Sequence, residues 1–141
     1  MSRSAAIKMP ATIDDFLVLQ PNNVTFGRYD YTPIQENVMT LVSAALQDYM
    51  SKGKEIPRDL FNQPYVEISA NIAAKGNNKQ QVYKQVQEMK KKEFGFKWVH
   101  PDIHKTIETS GVVISTVHKV KGTDRLIINF NPWVIPFLIY Y

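Results

Sequence analysis

The chain has 141 residues, 44% hydrophobic and 21% charged, a composition that suits one globular domain with a real apolar core. It holds no cysteine, which excludes disulfides, thiol catalysis and cysteine-based zinc sites. The net charge of +4 is uneven: residues 1–70 carry six Lys/Arg against eight Asp/Glu, residues 71–141 eleven against five, and a basic second half favours a polyanionic partner.

Residues 1–21 show weak periodicity and read as a loosely ordered N-terminal arm, with Phe16–Leu19 able to dock on the body. The start lacks the apolar core of a secretory signal, and no run reaches the length of a membrane span, so the expectation is a cytoplasmic protein with no membrane partner. Pro21-Asn22-Asn23 is a turn signal, and Val24–Tyr31 alternates enough for a short strand.

Thr32-Pro33-Ile34-Gln35 is a strong helix start: a Thr cap, Pro at the first helical position and Gln at the capping-box position. The helix should run to about Met50. Ile34, Val38, Leu41, Val42, Ala45 and Tyr49 form its apolar stripe, with Glu36, Thr40, Ser43 and Gln47 facing water. Ser51–Pro64 reads as a loop and Tyr65–Ile68 as a short strand.

Ser69–Lys92 then reads as a short helix, a tight turn and a longer helix. Ser69 is a candidate N-cap, Asn71–Lys75 a helix-compatible run, Gly76 a positive-φ terminator, and Asn77 or Asn78 the next cap. Val82, Val86 and Met89 recur at helical spacing on one face of the helix Asn78–Lys92. At about 100° per residue, Asn77, Gln80, Lys84, Gln87 and Lys91 fall on the opposite face, which carries no acidic residue. Their amides and amines are groups that bond base edges and phosphates, and the outline is that of a helix-turn-helix. The bland explanation is a lysine-rich solvated face; the interleaving with glutamine and asparagine rather than glutamate speaks against it.

Phe94–Val99 is aromatic and alternating, hence a strand, and Pro101–Ser110 reads as a connector. Gly111–Val120 and Arg125–Phe130 are alternating runs joined by Lys121-Gly122-Thr123-Asp124, a β-hairpin with Lys119, Lys121 and Arg125 about its tip. A basic-tipped hairpin directly after a helix-turn-helix is the wing of a winged helix; an ordinary hairpin with a lysine-protected edge gives the same pattern. Asn131-Pro132 caps a last helical turn that Pro136 interrupts or restarts. The chain stops at FLIYY, an apolar ending that either packs in the core or is covered by a partner or by further chain, and points to a piece of a longer protein.

Three pieces together, NNVTFGRYDYTPIQENVMTLVSAAL, VEISANIAA with VYKQVQEM, and GVVIS with RLIINFNPWVIPFL, resemble the N-terminal winged-helix domain of iteron-binding initiators of theta-replicating plasmids. The likeness runs from about Asn22 to the end. It implies an α+β winged-helix domain over residues 22–141, the first of two in a longer protein, with the helix Asn78–Lys92 and the hairpin Val112–Phe130 in the places of the family's third helix and wing. It further implies double-stranded DNA at origin repeats or an operator as partner, while the residues themselves, which hold no Gly-rich phosphate loop or HExxH pattern, give the expectation of a non-enzymatic protein without cofactor or metal. A homodimer and contacts with host replication proteins complete the implied picture. In such initiators the C-terminal domain makes most base contacts, so phosphate contact and dimerisation are the expected tasks here. From the chemistry of the residues, the DNA-contacting set is Lys79, Gln80, Lys84, Gln87 and Lys91 on the helix, with Lys119, Lys121 and Arg125 on the wing.

Two other classes remain open: a winged-helix transcriptional regulator using the same residues, and a protein-interaction module with an incidental basic face. An enzymatic site built on His100, Asp102, His104 and Glu108 is disfavoured. Pro101 argues against the two histidines sharing a helical turn, His118 lies far off on the hairpin, and surface histidines in a connector explain the spacing. Tyr140 and Tyr141 lack the histidine pair that a nucleophilic-tyrosine initiator requires.

Overall fold

The computed structural model describes Met9 and residues 31–138. The expected arm and the Val24–Tyr31 strand fall outside these residues, apart from Met9 and Tyr31; neither of the two is in a strand.

Helix α1 spans Pro33–Ser51 and opens as its sequence demands: the Thr32 hydroxyl accepts from the Gln35 N–H, and the Gln35 side chain accepts from the Thr32 N–H. Ile34, Val38 and Val42 are buried as expected, but the stripe is broader than the periodicity predicts. Met39 and Leu46 are buried, Leu41, Ala45 and Tyr49 only half-buried, and Ser43, expected to face water, is 4% exposed. The reason is that α1 packs against strand β1 (Tyr65–Ser69), helices α2 (Ala70–Ala74) and α3 (Lys79–Met89), and the C-terminal helix α4 (Ile135–Leu138), so it is covered over more than one face.

A three-stranded antiparallel sheet takes β1, β4 (Ile114–Lys119) and β5 (Arg125–Phe130) in the order β1-β5-β4. Its register sets Ser69 opposite Arg125 and Lys119 opposite Leu126. A second, two-stranded sheet is the hairpin of β2 (Glu93–Val99) and β3 (Thr106–Val112). Here the structure corrects the sequence: Pro101–Ser110 is no mere connector, because β3 begins at Thr106 and pairs along all of β2. Strand β3 alternates only between exposed and half-buried positions and fully buries no large apolar side chain, so its sequence carries too faint a pattern to mark a strand. Main-chain pairing holds it, with the Trp98 indole donating to Thr109 at 3.0 Å.

Nor is Gly111–Val120 one strand. Val113 is a break at which the chain leaves β2 and joins β5, its N–H donating to Lys92 and its carbonyl accepting from Asn131. The β4–β5 hairpin therefore does not follow the helix pair directly; the β2–β3 ribbon intervenes. The ribbon buries Phe94, Phe96 and Trp98: Phe96 and Trp98 meet Trp133, Phe96 also meets Phe137 edge-on at 5.1 Å, and Phe94 stacks on Phe96. Gly111 fits the crowded switch because a Cβ there would meet the Phe94 ring at 3.1 Å and the Asn131 amide at 3.0 Å. The tail is described as far as Leu138: Asn131 caps a 3-10 turn over Pro132–Val134, the chain restarts as α4, and Phe137 and Leu138 pack in the core, while residues 139–141 of the FLIYY ending lie outside the described residues.

Candidate nucleic-acid interface

The helix pair is built by local capping. The Ser69 hydroxyl accepts from the Ile72 N–H to start α2, one residue earlier than the expected run. Lys75 and Gly76 then take φ values of 46° and 89°, a left-handed pair that reverses the chain. Of the two candidate caps it is Asn78 that starts α3, its side chain accepting from the Gln80 N–H at 2.9 Å, and α3 ends at Met89 rather than Lys92. Val82, Tyr83, Val86 and Met89 are buried, while Lys79, Gln80, Lys84, Gln87 and Lys91 are all exposed. On the helix's other flank Gln85 is tied to the start of α1, accepting from the Thr32 hydroxyl and, through its carbonyl, from the Gln35 amide. That anchorage fixes which way the polar face points.

The wing is strapped down at three places, two on the helix pair and one on β1. The Lys119 ammonium sits 4.3 Å from the centre of the Tyr83 ring on α3. At the start of β5 the Asp124 carboxylate accepts from the Ser69 hydroxyl, and the Asp124 carbonyl accepts from the Ala70 N–H at 2.7 Å. The Ser69 hydroxyl, with smaller help from the Asn71 N–H and Arg125, holds the Asp124 carboxyl below the usual carboxylate range. Arg125 pairs with Glu67 on β1 at 3.0 Å, and this hydrogen bond and charge push the guanidinium pKa up further.

The eight residues singled out from sequence are all exposed, but they differ in their engagements. Lys91 pairs with Glu88 at 3.2 Å, so the expectation of a face without acid holds only as far as Gln87. Arg125 is held by Glu67 and Lys119 by Tyr83. Among the described residues, no carboxylate lies within ion-pair distance of Lys79, Lys84 or Lys121.

Sequence reasoning missed Lys90. Taking Tyr83 as reference at about 100° per residue, Lys90 and Lys79 fall roughly 20° and 40° away on the same side of the helix. Lys90 is exposed and caps α3, so it belongs to the basic surface beside the wing. The signal was available in Tyr83, an aromatic that widens the buried arc and marks where a neighbouring element lands.

The histidine site dissolves. His100, expected as a surface histidine, is 2% exposed, its ring 5.7 Å from that of Trp98 and its Nδ1 accepting from the Asp102 N–H at 3.2 Å. His104 is exposed at the ribbon's turn and His118 bonds Asn129. No group of three or more His, Asp or Glu among the described residues could hold a metal ion. No described helix is long and apolar enough to cross a membrane.

A family model described as "Initiator Replication protein, WH1" matches residues 17–141. Among solved structures, the WH1 domain of MSBI1.176, a replication protein isolated from a multiple sclerosis patient, superposes with a TM-score of 0.53 at 14% identity. The match covers 79% of this chain and 83% of that one. No curated protein sequence matches significantly.

Proposed function

Because the chain belongs to the initiator replication protein family, as its winged-helix WH1 domain, we propose that it is the DNA-binding and self-associating unit of a plasmid replication initiator, with no catalytic activity. It is the first of two winged-helix units, acting in the cytoplasm on duplex DNA at origin repeats or an operator. The observation that carries this reading is the seat of Lys119 on Tyr83, which brings the wing against the helix that exposes Lys79, Gln80, Lys84 and Gln87. The lysines act as point charges on phosphates, displacing condensed counterions, and the glutamine amides face outward where base edges lie. Self-association has a main-chain template in β3, which among the described residues pairs only with β2. Host replication proteins are the further partners.

The test is titration of a labelled random-sequence duplex across a range of salt. Binding that weakens steeply with salt supports the reading, and absence of binding at low salt ends it. If directly repeated DNA from beside the gene competes far better than random duplex, an initiator is favoured over a regulator. Sedimentation across a concentration series tests the dimer.

A second reading, a protein-interaction module, draws on Leu60 and Phe61, 90% and 77% exposed. They project from a turn held by Asp59, whose carboxylate accepts from the Phe61 and Gln63 N–H groups and from Asn129. Replacing both with serine leaves duplex binding intact if the DNA reading holds.

A further inference from the structure

We propose that Tyr83 and Lys119 form a positioning strut that sets the spacing between helix α3 and the wing, and that Lys121, not Lys119 or Arg125, carries the wing's charge to the duplex. The inference rests on the DNA-binding reading and divides its basic residues by task.

Three contacts hold the wing in place, two to the helix pair and one to β1, and each consumes a polar or charged side chain. Arg125 is committed to Glu67 and Asp124 to Ser69. Lys119 lies well inside the roughly 6 Å range at which a cation is held by a ring face. Both ends of this last contact are anchored. Tyr83 is buried among the core side chains of α3, and Lys119 is paired in the sheet with Leu126, which is fully buried. The Tyr83 hydroxyl is itself buried without a hydrogen-bond partner, so the side chain serves through its ring and not its oxygen. Lys121, in the turn between β4 and β5, is as exposed as Lys119 and Arg125 but makes neither kind of contact: among the described residues no aromatic ring holds it and no carboxylate lies within ion-pair distance. A lysine that neutralises a phosphate releases about one counterion, whereas a strut alters affinity without altering the number of ions released.

The experiment measures affinity of the whole chain for a labelled random-sequence duplex at several salt concentrations, alongside the side-chain proton spectrum of Lys119 in the free chain. Lys121→Ala should lower the salt slope by about one. Lys119→Met should weaken binding about two- to five-fold at unchanged slope, the factor expected for one exposed cation–ring contact. Lys119→Arg should restore binding, Tyr83→Phe should retain it, and the ε-methylene protons of Lys119 should show an upfield ring-current shift that Tyr83→Leu abolishes. Lys119 is exposed, so its Met variant folds even if Tyr83→Leu does not. A slope lowered by about one in Lys119→Met makes Lys119 a phosphate ligand and overturns the strut, as does an unshifted Lys119 spectrum. A wild-type chain that binds no duplex while Lys119 shows the shifted protons instead overturns the DNA-binding reading and leaves the strut standing as a structural contact.

Discussion

Ser69 is the residue on which most of the candidate interface converges. Its hydroxyl caps α2 and also donates to Asp124, so Ser69→Ala removes an N-cap and a wing strap together. Loss of the cap alone costs about 1 kcal/mol, to be read from the shift of a urea unfolding midpoint. Asp124 and Asp59 predict how the straps respond to acid. Both carboxyls are held below the usual carboxylate range in the folded chain, Asp124 chiefly by the Ser69 hydroxyl and Asp59 chiefly by the Gln63 N–H. A depressed folded value means the stabilisation is present above the unfolded value and is lost as pH falls through the folded one. Asp124→Asn should therefore flatten the acid limb of the stability curve below the usual carboxylate value, and leave its shape at neutral pH unchanged. Gly111 makes a steric prediction. Gly111→Ala presses a methyl against the Phe94 ring and the Asn131 amide, and should cost about 1–3 kcal/mol by overpacking, on the same unfolding assay.

At the scale of elements, α3 is an amphipathic helix whose two faces have separate jobs. Val82, Val86 and Met89 seat it, and Gln85 clasps the start of α1, so the polar face is held outward rather than left to swing. Lys84 stands on that face with no acidic partner among the described residues, so Lys84→Ala should reduce the salt slope of duplex binding by about one and leave the unfolding midpoint near wild type. The β2–β3 ribbon was half legible. The aromatic alternation of β2 was plain because one face is buried on Trp133 and Phe137; β3 was not, because its side chains meet mostly solvent and its order comes from main-chain pairing. The pairing of Trp98 with Thr109 predicts that Thr109→Val strands a buried indole N–H and costs about 1–3 kcal/mol.

For the molecule as a whole, the C-terminal turn closes the core. Phe137 meets Phe96 of the ribbon, and α4 packs on α1, so the tail joins the ribbon to the helical layer. Leu138→Ala should accordingly destabilise by about 2–5 kcal/mol in chemical denaturation, where a surface-exposed tail would tolerate the change. The sequence by itself determined the local devices: the Thr32 capping box, the Ser69 cap, an asparagine cap at either Asn77 or Asn78, the Gly76 reversal, the apolar face of α3 and the turn of the β4–β5 hairpin. Each depends on residues no more than a few positions apart, so spacing alone specifies it. Only the tertiary structure decided that the chain changes sheets at Val113, that Ser43 and His100 are buried, and which lysines stay uncommitted. A charge is legible in a sequence, but its partner is chosen by what the fold brings within a few ångströms: Glu67 lies far along the chain from Arg125, and Tyr83 from Lys119.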